Sequence, residues 1–337
     1  VKVKLFYAHG TAWALNWLEV GLRVDQTSGK IYWNESQQPE SQTSATIAGI
    51  NGRTAQWDGA PQNDPFAMMV DPDKFDAVRI EYPASMFPMN ASMDHGIAQI
   101  IDGINALPFG QPFVLGGYSQ GAALMSTVFN ELRYGTLTSR ASMFLGGVMF
   151  GNPRRQVDHR GAVGGTWSGA WDVPGSTTGG HGSFPASGSN FARLSNCPSN
   201  WVEFTYPGDV FAASGDSTTG QNWTLACDVA SDLDVAALIT YVASGMTAPI
   251  LAATEAAFTE GGVALPMTDA TGADVYITGS GHTAYPFLPP YGVATTDTCY
   301  QVALKYLDGL ADAWATAPVL QPNLSVGWST TLLPPAV

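Results

Sequence analysis

Basic residues are scarce in this chain: 14 Lys and Arg stand against 28 Asp and Glu, a formal net charge of -14. Nucleic-acid binding needs clustered positive charge to displace counterions from phosphates, so that class of function is excluded. Any polymer substrate is neutral or is engaged through a local patch, because an acidic surface repels anionic ones. Cysteine is nearly absent. Cys197, Cys227 and Cys299 are an odd set, which rules out a fully paired framework and leaves open any one of three pairs or three buried thiols. Long apolar runs are missing too: no stretch approaches the roughly 20 apolar residues that cross a bilayer, so no transmembrane segment is expected. Val1-Lys2-Val3-Lys4-Leu5-Phe6-Tyr7 reads as a strand, since no apolar core of a secretory signal comes after it. Charged residues make up only 12% of the 337 and hydrophobic ones 45%, enough to build one large core.

Apolar runs alternate with helical periodicity. Candidate strands are Val3–Ala8, Ala77–Tyr82, Phe113–Gly116, Met143–Phe150 and Trp201–Tyr206. Several are apolar throughout, as strands buried on both faces must be. Met93, Ile97, Ile100, Ile101 and Ile104 recur at helical spacing, with Asn90 or Ser92 available as a cap. A second helix extends from Ala122 to Leu132, and a last one runs from about Thr296 into Trp314. The pattern predicts a mostly parallel sheet flanked by helices.

Three regions interrupt it. Val24 to Asp73 is polar and too long for an ordinary connection; it reads as an insertion, either a lid or an extra hairpin. Arg160 to Asn196 is dominated by Gly, Ser and Thr, with Trp167, Trp171, His181 and Phe184 interspersed, and reads as an ordered irregular loop. Asp228 to Phe258 carries Val235, Leu238, Ile239, Val242 and Met246 at helical spacing, and Pro249 starts a further helix. That face either lines a groove for an acyl chain or packs on the core.

Gly117-Tyr118-Ser119-Gln120-Gly121 lies between the run Phe113-Val114-Leu115 and a helix. A Gly-x-Ser-x-Gly turn in that context forces the serine into a strained conformation with its hydroxyl presented at the end of the sheet. A serine hydroxyl needs a base, and the base needs an orienting acid. In an α/β-hydrolase these come in the order serine, acid, histidine. Asp209, in the turn after Trp201–Tyr206, fits the acid; Asp158 and Asp172 compete, and a plain turn aspartate is the bland alternative. Of His9, His95, His159, His181 and His282, only His181 and His282 follow the serine far enough downstream to serve as base, and only His282 also comes after Asp209, in a glycine-rich loop before the last helix. The backbone N–H groups of Gln120 and Thr11 are the candidate oxyanion donors, Thr11 because His9-Gly10-Thr11 turns out of the first strand. His9 has no second ligand at zinc-type spacing and reads as a histidine bonding loop backbone. Asn152 and Arg154 either shape the rim of the site or sit in a solvated turn.

Taken together, Gly-Tyr-Ser-Gln-Gly at 117–121, His9-Gly10-Thr11, Tyr82-Pro83-Ala84 with Phe87-Pro88-Met89, Gly151-Asn152-Pro153-Arg154-Arg155 and Gly208-Asp209 resemble the phage lysin B family of cutinase-like serine esterases. The resemblance covers somewhat over half of the chain. It implies a single α/β-hydrolase domain over 1–337, with insertions at about 24–73 and 160–196 and a helical lid or linker at about 228–278. It implies Ser119 as nucleophile, Asp209 as acid and His282 as base, with no metal or cofactor. The family hydrolyses the ester joining mycolic acids to arabinogalactan, which would make the partner a lipid ester or mycolylated wall polymer. The place of action would be the host cell envelope, in a phage lysis-cassette or virion context. Cutinases carry a disulfide near their acid, to which Cys197–Cys227 would be a looser analogue. Two other readings stand beside this one. A secreted bacterial cutinase or lipase shares the mechanism. A glycan-binding module on a hydrolase scaffold would use exposed Trp33, Trp57, Trp167 and Trp171.

Overall fold

The computed structural model describes residues 1–11, 22–24, 31–33, 45–57, 64–84, 89–157, 180–184, 192–206, 209, 211–213, 224, 266–268, 274–276, 282, 285–290, 293 and 295–316. In chain order the strands are β1 (Val3–Ala8), β2 (Leu22–Val24), β3 (Ile31–Trp33), β4 (Ala45–Ala48), β5 (Thr54–Trp57), β6 (Phe75–Arg79), β7 (Phe113–Tyr118), β8 (Phe144–Phe150), β9 (Trp201–Phe204), β10 (Pro266–Thr268) and β11 (Asp274–Tyr276). The helices are α1 (Phe66–Met69), α2 (Met89–Ala106), α3 (Gln120–Tyr134) and α4 (Cys299–Thr316).

Five strands form one sheet in the order β6-β1-β7-β8-β9, and every pairing is parallel. Parallel strands need both faces covered, and alternation along β1 shows how this is done. Phe6 and Ala8 point into a core built with α2 and α3; Val3, Leu5 and Tyr7 point into a second core built with α4. All six residues of β7 are buried, as befits the central strand. Between Phe113 and Val114 the register against β8 slips, so that Phe113 faces Phe144 but Val114 faces Gly146. The slip changes the parity of β8: Phe144 and Met149 share the α2–α3 face, while Val148 and Phe150 share the face of α4. The architecture is an α/β-hydrolase sheet, as the sequence predicts. Among the described residues no helix is long and apolar enough to cross a membrane.

From Leu22, at the start of the insertion at about 24–73, two antiparallel pairs follow, β2–β3 and β4–β5, with α1 after them. Beyond the helical run expected at 228–258, β10 and β11 pair antiparallel and stay outside the main sheet. Pro266 and the β-branched Val275 disfavour helix at these positions. The run 228–258, and 158–179 of the glycine-rich loop, lie outside the described residues.

Candidate active site

Four sheet strands, β1, β7, β8 and β9, end on the same edge, and the residues just beyond those ends build the site. After β7, Ser119 takes φ 56 and ψ -121, a conformation that non-glycine residues avoid. Holding it costs on the order of 1–3 kcal/mol, which the flanking structure must supply. Its N–H donates to the Phe150 carbonyl (2.8 Å), and its carbonyl accepts from the Ala123 N–H (3.1 Å). Its hydroxyl makes no capping bond to α3 and is free for other work. The tight turn lets α3 start against the end of β1. A Cβ on Gly121 would lie 2.1 Å from the Ala8 carbonyl oxygen and 2.4 Å from that of His9. The first amides of α3, that of Gln120 included, therefore sit beside the loop His9-Gly10-Thr11. A helix start leaves its first N–H groups without intrahelical partners.

After β9 comes Asp209, fully buried. Its Oδ1 accepts from the N–H groups of Phe211 (2.9 Å) and Ala212 (3.2 Å). Its Oδ2 accepts from the Tyr285 hydroxyl. His282 Nδ1 lies 2.9 Å from both carboxylate oxygens. Burial pushes the acid's pKa up, yet the positive charge and hydrogen bond of His282, with the donors from Tyr285 and Phe211, outweigh it and hold the pKa below its ordinary value. Asp209 thus stays a carboxylate in a dry site. A carboxylate only accepts, so Nδ1 must carry the proton and Nε2 is left as an acceptor. Nε2 lies 2.7 Å from Ser119 Oγ. Serine, imidazole and carboxylate form one continuous hydrogen-bonded chain.

Gly151, after β8, adopts φ +61, and a Cβ there would lie 2.7 Å from both Cε1 and Nδ1 of His282. The imidazole is packed further by Phe211 (ring centroids 4.5 Å) and Tyr118 (5.4 Å, nearly parallel).

The structure brings Ser119, Asp209 and His282 together; Gln120 opens α3 directly after Ser119, and Thr11 is buried beyond the end of β1. It does not bring in His181, whose Nδ1 pairs with the Gly182 carbonyl (2.8 Å). Asp158, Asp172 and His159 lie outside the described residues. His9 bonds loop backbone: Nδ1 pairs with the Gly10 carbonyl (2.8 Å), and burial lowers its pKa. Among the described residues no cluster of His, Cys, Asp and Glu could hold a metal ion.

Three expectations need correction. Arg154 and Arg155 are not solvated turn residues; both are buried. Arg154 Nε donates to the Ala192 carbonyl (2.8 Å), and Arg155 Nε to that of Ala212 (2.6 Å), inside the acid's own loop. Trp57 is not an exposed aromatic: it is 2% exposed and stacks on Phe287. An indole on a short hairpin buries itself where neighbouring elements offer apolar cover, here a cluster that holds Ile47 of β4 and Phe66 and Met69 of α1. Trp167 and Trp171 lie outside the described residues, and Trp33 is described only as strand backbone. Cys197 is a free thiol, half-buried, whose amide donates to Gln156 Oε1 (2.7 Å), while Cys227 lies outside the described residues. Cys299 is also free and buried, 3.1 Å from the Tyr206 hydroxyl.

The residues sequence reasoning missed are Tyr118, Tyr285 and Glu203. Tyr118 occupies the variable position of the pentapeptide, and Tyr285 is an unpatterned loop residue near the histidine. Glu203 is a lone acid in an apolar strand, and that was a signal. It is fully buried, accepting from Asn152 Nδ2 (2.8 Å) and Trp201 Nε1 (2.7 Å) on one oxygen. Asn152 Nδ2 also donates to Ser126 Oγ (3.0 Å), which donates to the Ala122 carbonyl (2.9 Å) in the first turn of α3.

No family model and no curated protein matches the chain. Solved structures similar to it include lysin B from mycobacteriophage D29, with 20% identity and a TM-score of 0.45, covering 76% of this chain and 90% of that one. A cutinase-like protein from Cryptococcus sp. is similar with 14% identity and a TM-score of 0.34, covering 69% and 90%. The catalytic core domain of acetyl xylan esterase from Trichoderma reesei is similar with 16% identity and a TM-score of 0.30, covering 66% and 91%.

Proposed function

We propose that this protein is a serine esterase that hydrolyses carboxylic esters by acyl transfer, with Ser119 as nucleophile, His282 as base and Asp209 as orienting acid. The observation that supports the reading is the relay itself: 2.7 Å from Ser119 Oγ to Nε2, and 2.9 Å from Nδ1 to the buried carboxylate. As Oγ attacks the ester carbonyl, Nε2 takes its proton, and Asp209 stabilises the imidazolium that forms. The N–H groups of Gln120 and Thr11 receive the negative charge that develops on the carbonyl oxygen. The imidazolium returns its proton to the departing alcohol. Water then attacks the acyl-enzyme with Nε2 again as base, releasing the acid and restoring Ser119.

The finer reading rests on the sequence resemblance to lysin B. The substrate is then a lipid ester, the mycolic acid–arabinogalactan linkage of a mycolate-containing envelope, cleaved during phage lysis or entry. The experiment that tests the chemistry is labelling by a fluorophosphonate probe together with turnover of p-nitrophenyl esters. Wild type should label at Ser119 and turn over; Ser119→Ala should do neither, its rate falling by several orders of magnitude. A Ser119→Ala variant at wild-type rate would overturn the mechanism. Thin-layer analysis of lipids released from purified mycolyl-arabinogalactan tests the substrate, and the absence of free mycolic acid would refute it.

A further inference from the structure

The acyl-transfer reading leaves two buried tyrosines beside the acid and the base without a task. Tyr285 lies three residues beyond His282, with its ring fully buried and its hydroxyl bonded to Asp209 Oδ2. Tyr118 precedes the nucleophile; its hydroxyl donates to the backbone carbonyl of His282 (2.5 Å) and its ring lies along the imidazole. The two phenol rings meet edge to face, with centroids 6.1 Å apart.

The carboxylate shows why such contacts matter. Oδ1 is pinned by two backbone amides, but Nδ1 lies equally far from both oxygens. Without the Tyr285 hydroxyl, Oδ2 would keep only its share of the imidazole, and its charge would fall wholly on Nδ1–H. The tether on His282 is of another kind. It joins the base's own backbone to β7, the strand that presents Ser119, so one rigid element sets both ends of the 2.7 Å contact.

We propose that Tyr285 and Tyr118 are positioning residues: Tyr285 holds and partly neutralises the Asp209 carboxylate, and Tyr118 fixes the base to the strand that carries the nucleophile. The proposal rests on the serine esterase reading. Among the described residues, the titratable and charged groups around the relay are Tyr118 from β7, Tyr285 beside the base and Arg155, which reaches the acid's loop through the Ala212 carbonyl. The Cys299 thiol and the Tyr206 hydroxyl lie behind Tyr285.

The test uses the full chain, a short p-nitrophenyl ester and the fluorophosphonate probe. Tyr285→Phe should lower kcat roughly 10-fold or more with KM nearly unchanged, because it disturbs orientation and not substrate contact. It should also move the acid limb of kcat/KM to higher pH by roughly half a unit, since an unshared carboxylate charge favours the protonated imidazole. In an Asp209→Asn background the same change should alter the labelling rate by less than about 2-fold, because the hydroxyl acts through that carboxylate. Tyr118→Phe should lower kcat comparably and leave the acid limb in place. Site-specific 3-fluorotyrosine at 285 retains the shape of the side chain and strengthens the donor, so it should move the limb to lower pH; it decides the matter if Tyr285→Phe does not fold. Wild-type kcat and pH profile in Tyr285→Phe, an equal loss in the Asp209→Asn background, or an unmoved limb with fluorotyrosine would each overturn the proposal for Tyr285; wild-type kcat in Tyr118→Phe would overturn it for Tyr118. An active, labelled wild type with indifferent tyrosine variants sinks the positioning roles alone. An inert, unlabelled wild type sinks the esterase reading and the positioning roles with it.

Discussion

Glu203 makes the stability of this protein depend on pH in a direction opposite to that of a salt-bridged acid. Burial pushes its carboxyl up to about 7 from the ordinary 4.5, against the pull of Arg155 and the donors Trp201 and Asn152. Its second oxygen, Oε2, is buried with no hydrogen-bond partner, so the neutral acid is the form this environment accepts. Below pH 4.5 the group is protonated in both folded and unfolded chains and costs nothing. Between 4.5 and about 7 the unfolded chain releases the proton and the folded one retains it, so stability falls as pH rises, reaching its full loss above the folded value. At about 1.4 kcal/mol per pH unit, that interval corresponds to about 3 kcal/mol. Glu203→Gln removes the titration and preserves the acceptor for Trp201 and Asn152. Its stability relative to wild type should therefore improve by about 3 kcal/mol between about pH 4.5 and 8.5, whatever constant cost the amide brings. Urea unfolding of both proteins across that range measures it. A difference that stays flat with pH would refute the argument.

Gly151→Ala should cut kcat about 100-fold, because its Cβ would stand 2.7 Å from the imidazole at a backbone φ of +61; steady-state kinetics at unchanged fold check it. Asp209→Asn should cost about 10⁴ in kcat, since an amide beside Nδ1 favours the wrong imidazole tautomer, and the variant should still bind substrate. Trp57→Ala should destabilise the fold by about 3–5 kcal/mol in urea unfolding, the expected cost of emptying a buried indole site. A Trp57→Ala variant that loses glycan binding at full stability would restore the surface-platform reading.

How far the fold can be read from the sequence varies with the physics that sets each element. The parallel strands are legible because burial on both faces writes itself as an unbroken apolar run, as in Phe113 to Leu115. Their ends are less so. β6 spans Phe75–Arg79, although the more apolar-looking stretch continues to Tyr82, because pairing with β1 stops at Arg79. The last helix begins at Cys299 and not at Thr296, with Thr298 and Gln301 trading side-chain bonds to each other's backbone N–H at its start. The hairpin at 45–57 has no strong pattern of its own, since β5 alternates exposed and covered residues over only four positions. Its stability comes from seating Trp57 and Ile47 on the core under α4, which is tertiary information.

The site divides along the same line. The proposed nucleophile, acid and base must be particular residue types in a particular chain order, so Ser119, Asp209 and His282 can be picked out from the sequence. The groups that hold them obey no such rule. A phenol reaching Asp209 from three residues past the histidine, a glycine vacated for an imidazole and an arginine bracing the acid's loop through a carbonyl are each one of many solutions to one geometric need. They leave no periodicity or spacing to find. Asn152 and Glu203 make the point most sharply. Asn152 follows β8 as an ordinary turn residue and Glu203 stands out only as a lone acid within β9, and neither shows in sequence that they join β8, β9 and the first turn of α3 through Ser126 in a single buried network. Such a network fixes the direction of α3 as it leaves Ser119. The strain at Ser119 persists because the strand before it and the helix after it are both hydrogen-bonded to their neighbours, and loosening those anchors should relax the serine before it disturbs the sheet.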